Sequence, residues 1–135
     1  MLDTNVLISM IFFPGKYFVQ LLEYIVQEHT LVLSSFVIDE LMAVADKKFP
    51  DRKASIDRFL SGLSYELVYT PLKVPGNLFQ IRDKNDYPVL YTAIIEGVDV
   101  FVTGDKDFSD VEIEKPEILT PAEFSTKYFE SPRLK

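Results

Sequence analysis

The chain opens on MLDTNVLISMIFF, an apolar run interrupted by Asp3 and Asn5. Residues 2–10 read as a short strand that runs into a loop at Phe13, Pro14 and Gly15. Residues 16–28 place Phe18, Leu21, Leu22, Ile25 and Val26 at helical spacing, which predicts an amphipathic helix. Residues 31–33 form a short β-prone run. Ser34 or Ser35 can cap the helix SFVIDELMAVADKKF, which stops before Pro50. Asp51 is a candidate cap for a helix over 52–63 that ends near Gly62. YELVYT (65–70) reads as a strand, and PLKVPGNLFQIRDKN, with two prolines and a glycine, as mostly loop. DYPVLYTAIIEG reads as a helix with Asp86 near its start and Pro88 in its first turn, where proline is tolerated. DVFVT (99–103) has the near-continuous apolar character of a strand covered on both faces. GDKDF is a turn, EILT (117–120) a last strand, and Pro121 opens a final helix, PAEFSTKYF.

Strands and helices alternate throughout, which predicts an α/β fold on a mainly parallel sheet. No repeat, low-complexity segment or linker divides the chain, so a single domain over 1–135 is expected. The apolar content of 47% and charged content of 26% are those of a globular protein. With no cysteine there is no disulfide framework and no thiolate metal site. The one histidine, His29, excludes multi-His zinc sites and reads as a partner for a helix C-terminus. No apolar run reaches the length of a membrane span and no basic region precedes the first apolar stretch, so a cytoplasmic protein is expected. The net charge of −7 argues, alone, against a nucleic-acid partner. It has a second explanation if several carboxylates are reserved for a cation.

In open α/β sheets, ligands bind beyond the carboxyl ends of the strands. Asp3, Glu40, Asp86, Asp105 and Asp107 all fall at strand ends or helix starts. Carboxylates that converge in one pocket repel one another unless a cation holds them, and hard oxygen ligands suit Mg²⁺ or Mn²⁺. Such an ion can activate water and stabilise charge on a phosphoryl oxygen. Each acid also has a plainer reading. Asp86 can be a helix cap, Asp105 and Asp107 can be turn formers, and Glu40 can face solvent. Asp3 is the hardest to explain without a partner, because an ionised carboxylate is costly to bury alone. Asn5 can form a turn or orient Asp3, and Thr103 can be a plain strand residue or a supporting hydroxyl.

LDTNVLIS (2–9), SSFVIDEL (34–41), RDKNDYPVLYTAI (82–94) and VTGDKDF (102–108) resemble, in order, the motifs of the PIN-domain metal-dependent ribonucleases. That family includes the VapC-type toxins of prokaryotic toxin–antitoxin pairs. The resemblance implies a three-layer α/β/α fold with a parallel sheet of four or five strands. It implies a metal-binding and catalytic pocket of Asp3, Glu40, Asp86 and Asp105, with Asp107 close by and Asn5 and Thr103 in support. The implied chemistry is hydrolysis of RNA phosphodiester bonds with Mg²⁺ or Mn²⁺. A homodimer and an antitoxin partner are implied as well.

RNA needs cations, and residues 46–58 supply Lys47, Lys48, Arg52, Lys53 and Arg58 in an otherwise acidic chain. Arg82, Lys84 and Lys106 flank the acidic motifs. The plain reading of all eight is a solvated helix or loop surface. Tyr17, Tyr87 and Tyr91 are candidates for base stacking or for the core. The runner-up function is a PIN-fold module that binds RNA or protein without cleaving. A receiver-like module lacks its acidic pair beside Asp3, and a dehalogenase-type phosphatase lacks an acid at position 5.

Overall fold

The computed structural model describes residues 1–129. Its first surprise lies in the opening run. Leu2 makes one parallel bridge, to Val102, and a helix α1 (Thr4–Phe12) begins two residues later. The strand expected over 2–10 is therefore a single residue. The reason is a local contest that the helix wins. Asp3 is extended at the cap position and its carboxylate accepts from Thr4 N–H at 2.8 Å. The buried residues Val6, Leu7, Met10 and Ile11 then form a stripe of helical period, with Asn5 outside it.

The helix α2 (Lys16–Glu28) buries Leu21 and Ile25, as the apolar spacing requires. Strand β1 (Val32–Ser34) leads into α3 (Ser35–Lys48), whose first turn is capped by the Ser34 hydroxyl accepting from Val37 N–H. A short 3-10 turn, Pro50–Arg52, precedes α4 (Lys53–Ser61), and Arg52 rather than Asp51 stands at the cap position. Asp51 loses that place because the turn opened by Pro50 consumes it. Strand β2 (Glu66–Val68), helix α5 (Tyr87–Ile95), strand β3 (Val100–Val102), strand β4 (Glu117–Leu119) and helix α6 (Pro121–Phe124) follow. Ser125–Phe129 continues α6 as a wider turn.

The α/β class is as the alternation of elements predicts, and its pairing is parallel. The strands are short and fall into two pairs, β1 with β2 and β3 with β4. Leu2 lies on the free side of β3, where Val102 N–H donates to Met1 O and Asp3 N–H donates to Val102 O. A cleft of 720 Å³ opens between β1 and β3 and is lined by Leu31, Val32, Val98, Val100 and Met1. None of Asp3, Glu40, Asp86 or Asp105 lines it. The main core is built on Leu2, Leu7, Leu33, Leu90 and Phe101, with Phe108 edge-on to Phe101 at 5.1 Å. Ile11, Phe12, Leu41, Ala45 and Ile56 form a second cluster where α1, α3 and α4 meet. Among the described residues no helix is long and apolar enough to cross a membrane.

Candidate functional site

The acids meet where the core elements end. Asp3 is 6% exposed, and both of its oxygens are engaged. Oδ1 accepts from Thr4 N–H, and Oδ2 accepts from the Thr103 hydroxyl at 2.7 Å. Thr103 directly follows β3, and its oxygen also accepts from Asp105 N–H at 3.1 Å. Burial pushes the Asp3 carboxyl above the usual range and the charge of Asp105 adds to this, while the two donors oppose it. Asn5 is exposed on α1, and among the described residues no hydrogen bond joins its side chain to Asp3. The orienting role proposed for Asn5 falls to Thr4 and Thr103.

Glu40 lies in the second turn of α3 and is half-buried. It does not point away into solvent, because the buried Thr4 hydroxyl donates to its Oε1 at 2.7 Å. Desolvation raises the Glu40 pKa; the Thr4 hydrogen bond opposes this and the charge of Asp3 adds to it.

Asp86 stands at the cap position of α5, yet its carboxylate makes no capping bond. Its Oδ2 is buried without a hydrogen-bond partner. Desolvation, then the charges of Asp105, Asp83, Asp3 and Asp107, push its pKa from 3.8 up to about 7. Carboxylate oxygens of Asp83, Asp86 and Asp107 lie within 4.8 Å of one another. Asp105 holds the following turn, accepting from Asp107 N–H at 2.9 Å, as the turn reading expects. So Asp86, Asp105, Asp107 and Asp3 share one electrostatic neighbourhood, and Glu40 joins it through Thr4 and Asp3. The donor set is all hard oxygen, and one of its oxygens, Asp86 Oδ2, is buried without a partner. That set fits a hard divalent cation.

The sequence profile of the PIN domain matches residues 1–107. This chain belongs to the PIN-domain family. No curated protein matches it. Among solved structures it is similar to a chain of VapBC2 from Rickettsia felis bound to a DNA fragment from their promoter. The TM-score is 0.65 at 24% identity, over 88% of this chain and 95% of the other. At that identity the likeness concerns the fold.

In this PIN domain the basic residues divide into two sets. Lys47 and Lys48 are exposed in the last turn of α3. Lys53 pairs with Asp46, and the Arg52 guanidinium lies 5.0 Å over the Phe12 ring. The second set adjoins the acids. Arg82 is 3.6 Å from Asp107 and 3.5 Å from Asp110, and Lys84 and Lys106 are exposed in the turns that carry Asp86 and Asp107. Tyr87 is a core residue, stacked on Phe79 at 4.2 Å with its hydroxyl accepting from Leu78 N–H. Two residues that lie beside these acids escaped the sequence reading. Asp83 lies three positions before Asp86, one turn away, a spacing that was available as a signal. Thr4 had no distinguishing signal, since its role depends on a contact 36 positions away.

Proposed function

We propose that this PIN domain is an endoribonuclease dependent on Mg²⁺ or Mn²⁺, and that it is the toxin of a toxin–antitoxin pair. The observation that carries the reading is Asp86. A carboxylate left with a buried, unpartnered oxygen among four like charges is an arrangement that a folded protein tolerates for a cation. Asp3, Glu40, Asp86 and Asp105 are the residues that would hold the ion, together with Asp83 and Asp107, whose carboxylate oxygens lie within 4.8 Å of that of Asp86. Bound there, such an ion would supply Lewis-acid stabilisation of a phosphoryl oxygen and would lower the pKa of a water. The chain supplies the rest. The Thr103 hydroxyl and Thr4 N–H fix the plane of Asp3. Arg82, Lys84 and Lys106 lie beside the acids, where an RNA backbone would pass. Lys47, Lys48, Arg52 and Lys53 are a second basic patch for the backbone; there Lys53, like Arg82, is already paired with an acid, and Arg52 lies on Phe12.

An antitoxin partner, a homodimer and a cytoplasmic location belong to the same reading. The complex from Rickettsia felis supports the first, since a chain of the same fold is found there with its partner. The test is cleavage of a single-stranded RNA with Mg²⁺ or Mn²⁺ and with chelator, by the parent, Asp3→Asn and Asp105→Asn. Cation-dependent cleavage by the parent and its loss in both variants is the expected result. Equal cleavage by all three would overturn the proposal. Metal binding without cleavage by the parent would favour a PIN-fold module that binds RNA without cutting it.

A further inference from the structure

Thr4 joins two acids of the site, Asp3 and Glu40. Its backbone N–H donates to Asp3 Oδ1, and its hydroxyl donates to Glu40 Oε1. Three features make this an unusual use of a threonine. Thr4 is the first residue of α1, so its hydroxyl has no preceding helical turn to bond back to and is free to reach across. It is 7% exposed, so water competes poorly for Glu40 there. It is β-branched, and a branched side chain in a helix has few χ1 wells, so few directions are open to the hydroxyl.

Glu40 needs such a partner. Among the described residues no cation pairs with it, and Thr4 is its hydrogen-bond donor. A glutamate side chain carries roughly 1.5–2 kcal/mol of rotamer entropy that opposes holding it in one place. Glu40 is also repelled by Asp3. A charge-assisted hydrogen bond at 2.7 Å is the contact that opposes both tendencies.

We propose that Thr4 is a positioning residue: its hydroxyl holds Glu40 of α3 beside Asp3, so that the two carboxylates face the same cation. The proposal rests on the metal-site reading above. The experiment is Mn²⁺ titration by calorimetry on the parent, Thr4→Val, Thr4→Ser, Glu40→Gln and the double variant Thr4→Val/Glu40→Gln. Thermal unfolding without metal accompanies each titration. Thr4→Val keeps the shape and removes the donor. Its Mn²⁺ dissociation constant is expected to rise by about tenfold, the scale of lost support to a ligand. Thr4→Ser, which keeps the hydroxyl, is expected to restore most of the affinity. In the Glu40→Gln background the valine is expected to add no further loss, because Thr4 acts through Glu40.

A purely structural Thr4 would give a different pattern. Its valine variant would lower the unfolding temperature, and the affinity loss would persist without Glu40. Either that pattern or unchanged affinity in Thr4→Val overturns the positioning role while leaving the metal site intact. If Thr4→Val does not fold, loss of affinity in a folded Thr4→Ala with rescue by Thr4→Ser carries the same decision. Absence of Mn²⁺ binding in the parent overturns the metal-site reading itself, and the role of Thr4 with it.

Discussion

Replacing Asp86 by Asn should stabilise the protein in the absence of divalent ions. The folded-state pKa of about 7 lies above the ordinary 3.8, so the folded chain holds this proton more tightly than the unfolded chain does. Below 3.8 both states are protonated and the group contributes nothing. As pH rises from there to about 7 stability is lost progressively, and above about 7 the full penalty of an ionised Asp86 is present. A gap of that size corresponds to at most about 4 kcal/mol. Asp86 is only partly buried, so screening by water reduces this to about 1–2 kcal/mol. Asn keeps the shape and removes the charge. Urea unfolding in chelator should therefore find Asp86→Asn more stable than the parent by about 1–2 kcal/mol near pH 8, with the two converging near pH 4. Saturating Mn²⁺ should reverse the order, because an ion at a hundred times its dissociation constant adds about 2.7 kcal/mol to the state that binds it. A variant no more stable than the parent at the higher pH, or a difference independent of pH, would refute the view that Asp86 is held against its preference.

Three further outcomes follow from particular contacts. Thr103→Val removes the donor to Asp3 Oδ2, which should raise the Asp3 pKa further and cost about 1.5–3 kcal/mol near neutral pH, less in acid; urea unfolding across pH checks it. Phe101→Ala empties a fully buried site against Phe108 and should cost about 3–5 kcal/mol in the same assay. Ser34→Ala removes the cap of α3, the helix that carries Glu40, and should cost about 1 kcal/mol.

Much of the placement of the acids was legible because it is local. LDTN, RDKND and TGDKDF each place an acid at the start of a helix or turn, where a carboxylate reaches solvent and ligand without being buried alone, and SSFVIDEL places Glu40 in the second turn of α3. The apolar period of α2 and the continuous apolar character of β3 were equally plain. What failed was the first element. Residues 2–10 are apolar enough for either a strand or a helix, and the decision came from one side chain, Asp3, bonding its neighbour's N–H. The cap of α4 failed for a similar reason, since Pro50 opens a turn that takes up Asp51. Glu40 could not be assigned from helical period alone. Its direction depends on Thr4, which the fold delivers from another helix.

Asp3 and Asp86 show that the acids of one site are held in opposite ways. Asp3 is deeply buried but satisfied at both oxygens, and it also starts a helix. Asp86 is less buried, yet one oxygen has no partner and its neighbours are like charges. Asp3 is therefore woven into the fold, while Asp86 is a load on it. This decides which substitutions separate structure from function. Asn at position 3 still caps a helix, whereas Ala there would remove a cap worth about 1 kcal/mol and leave the Thr103 hydroxyl without its acceptor. Activity lost in Asp3→Ala would thus confuse unfolding with chemistry. Activity lost in Asp86→Asn, a variant expected to be more stable than its parent, has no such ambiguity. A protein that gains stability and loses its reaction through the same change is the sharpest sign that the charge at Asp86 serves the site and not the fold.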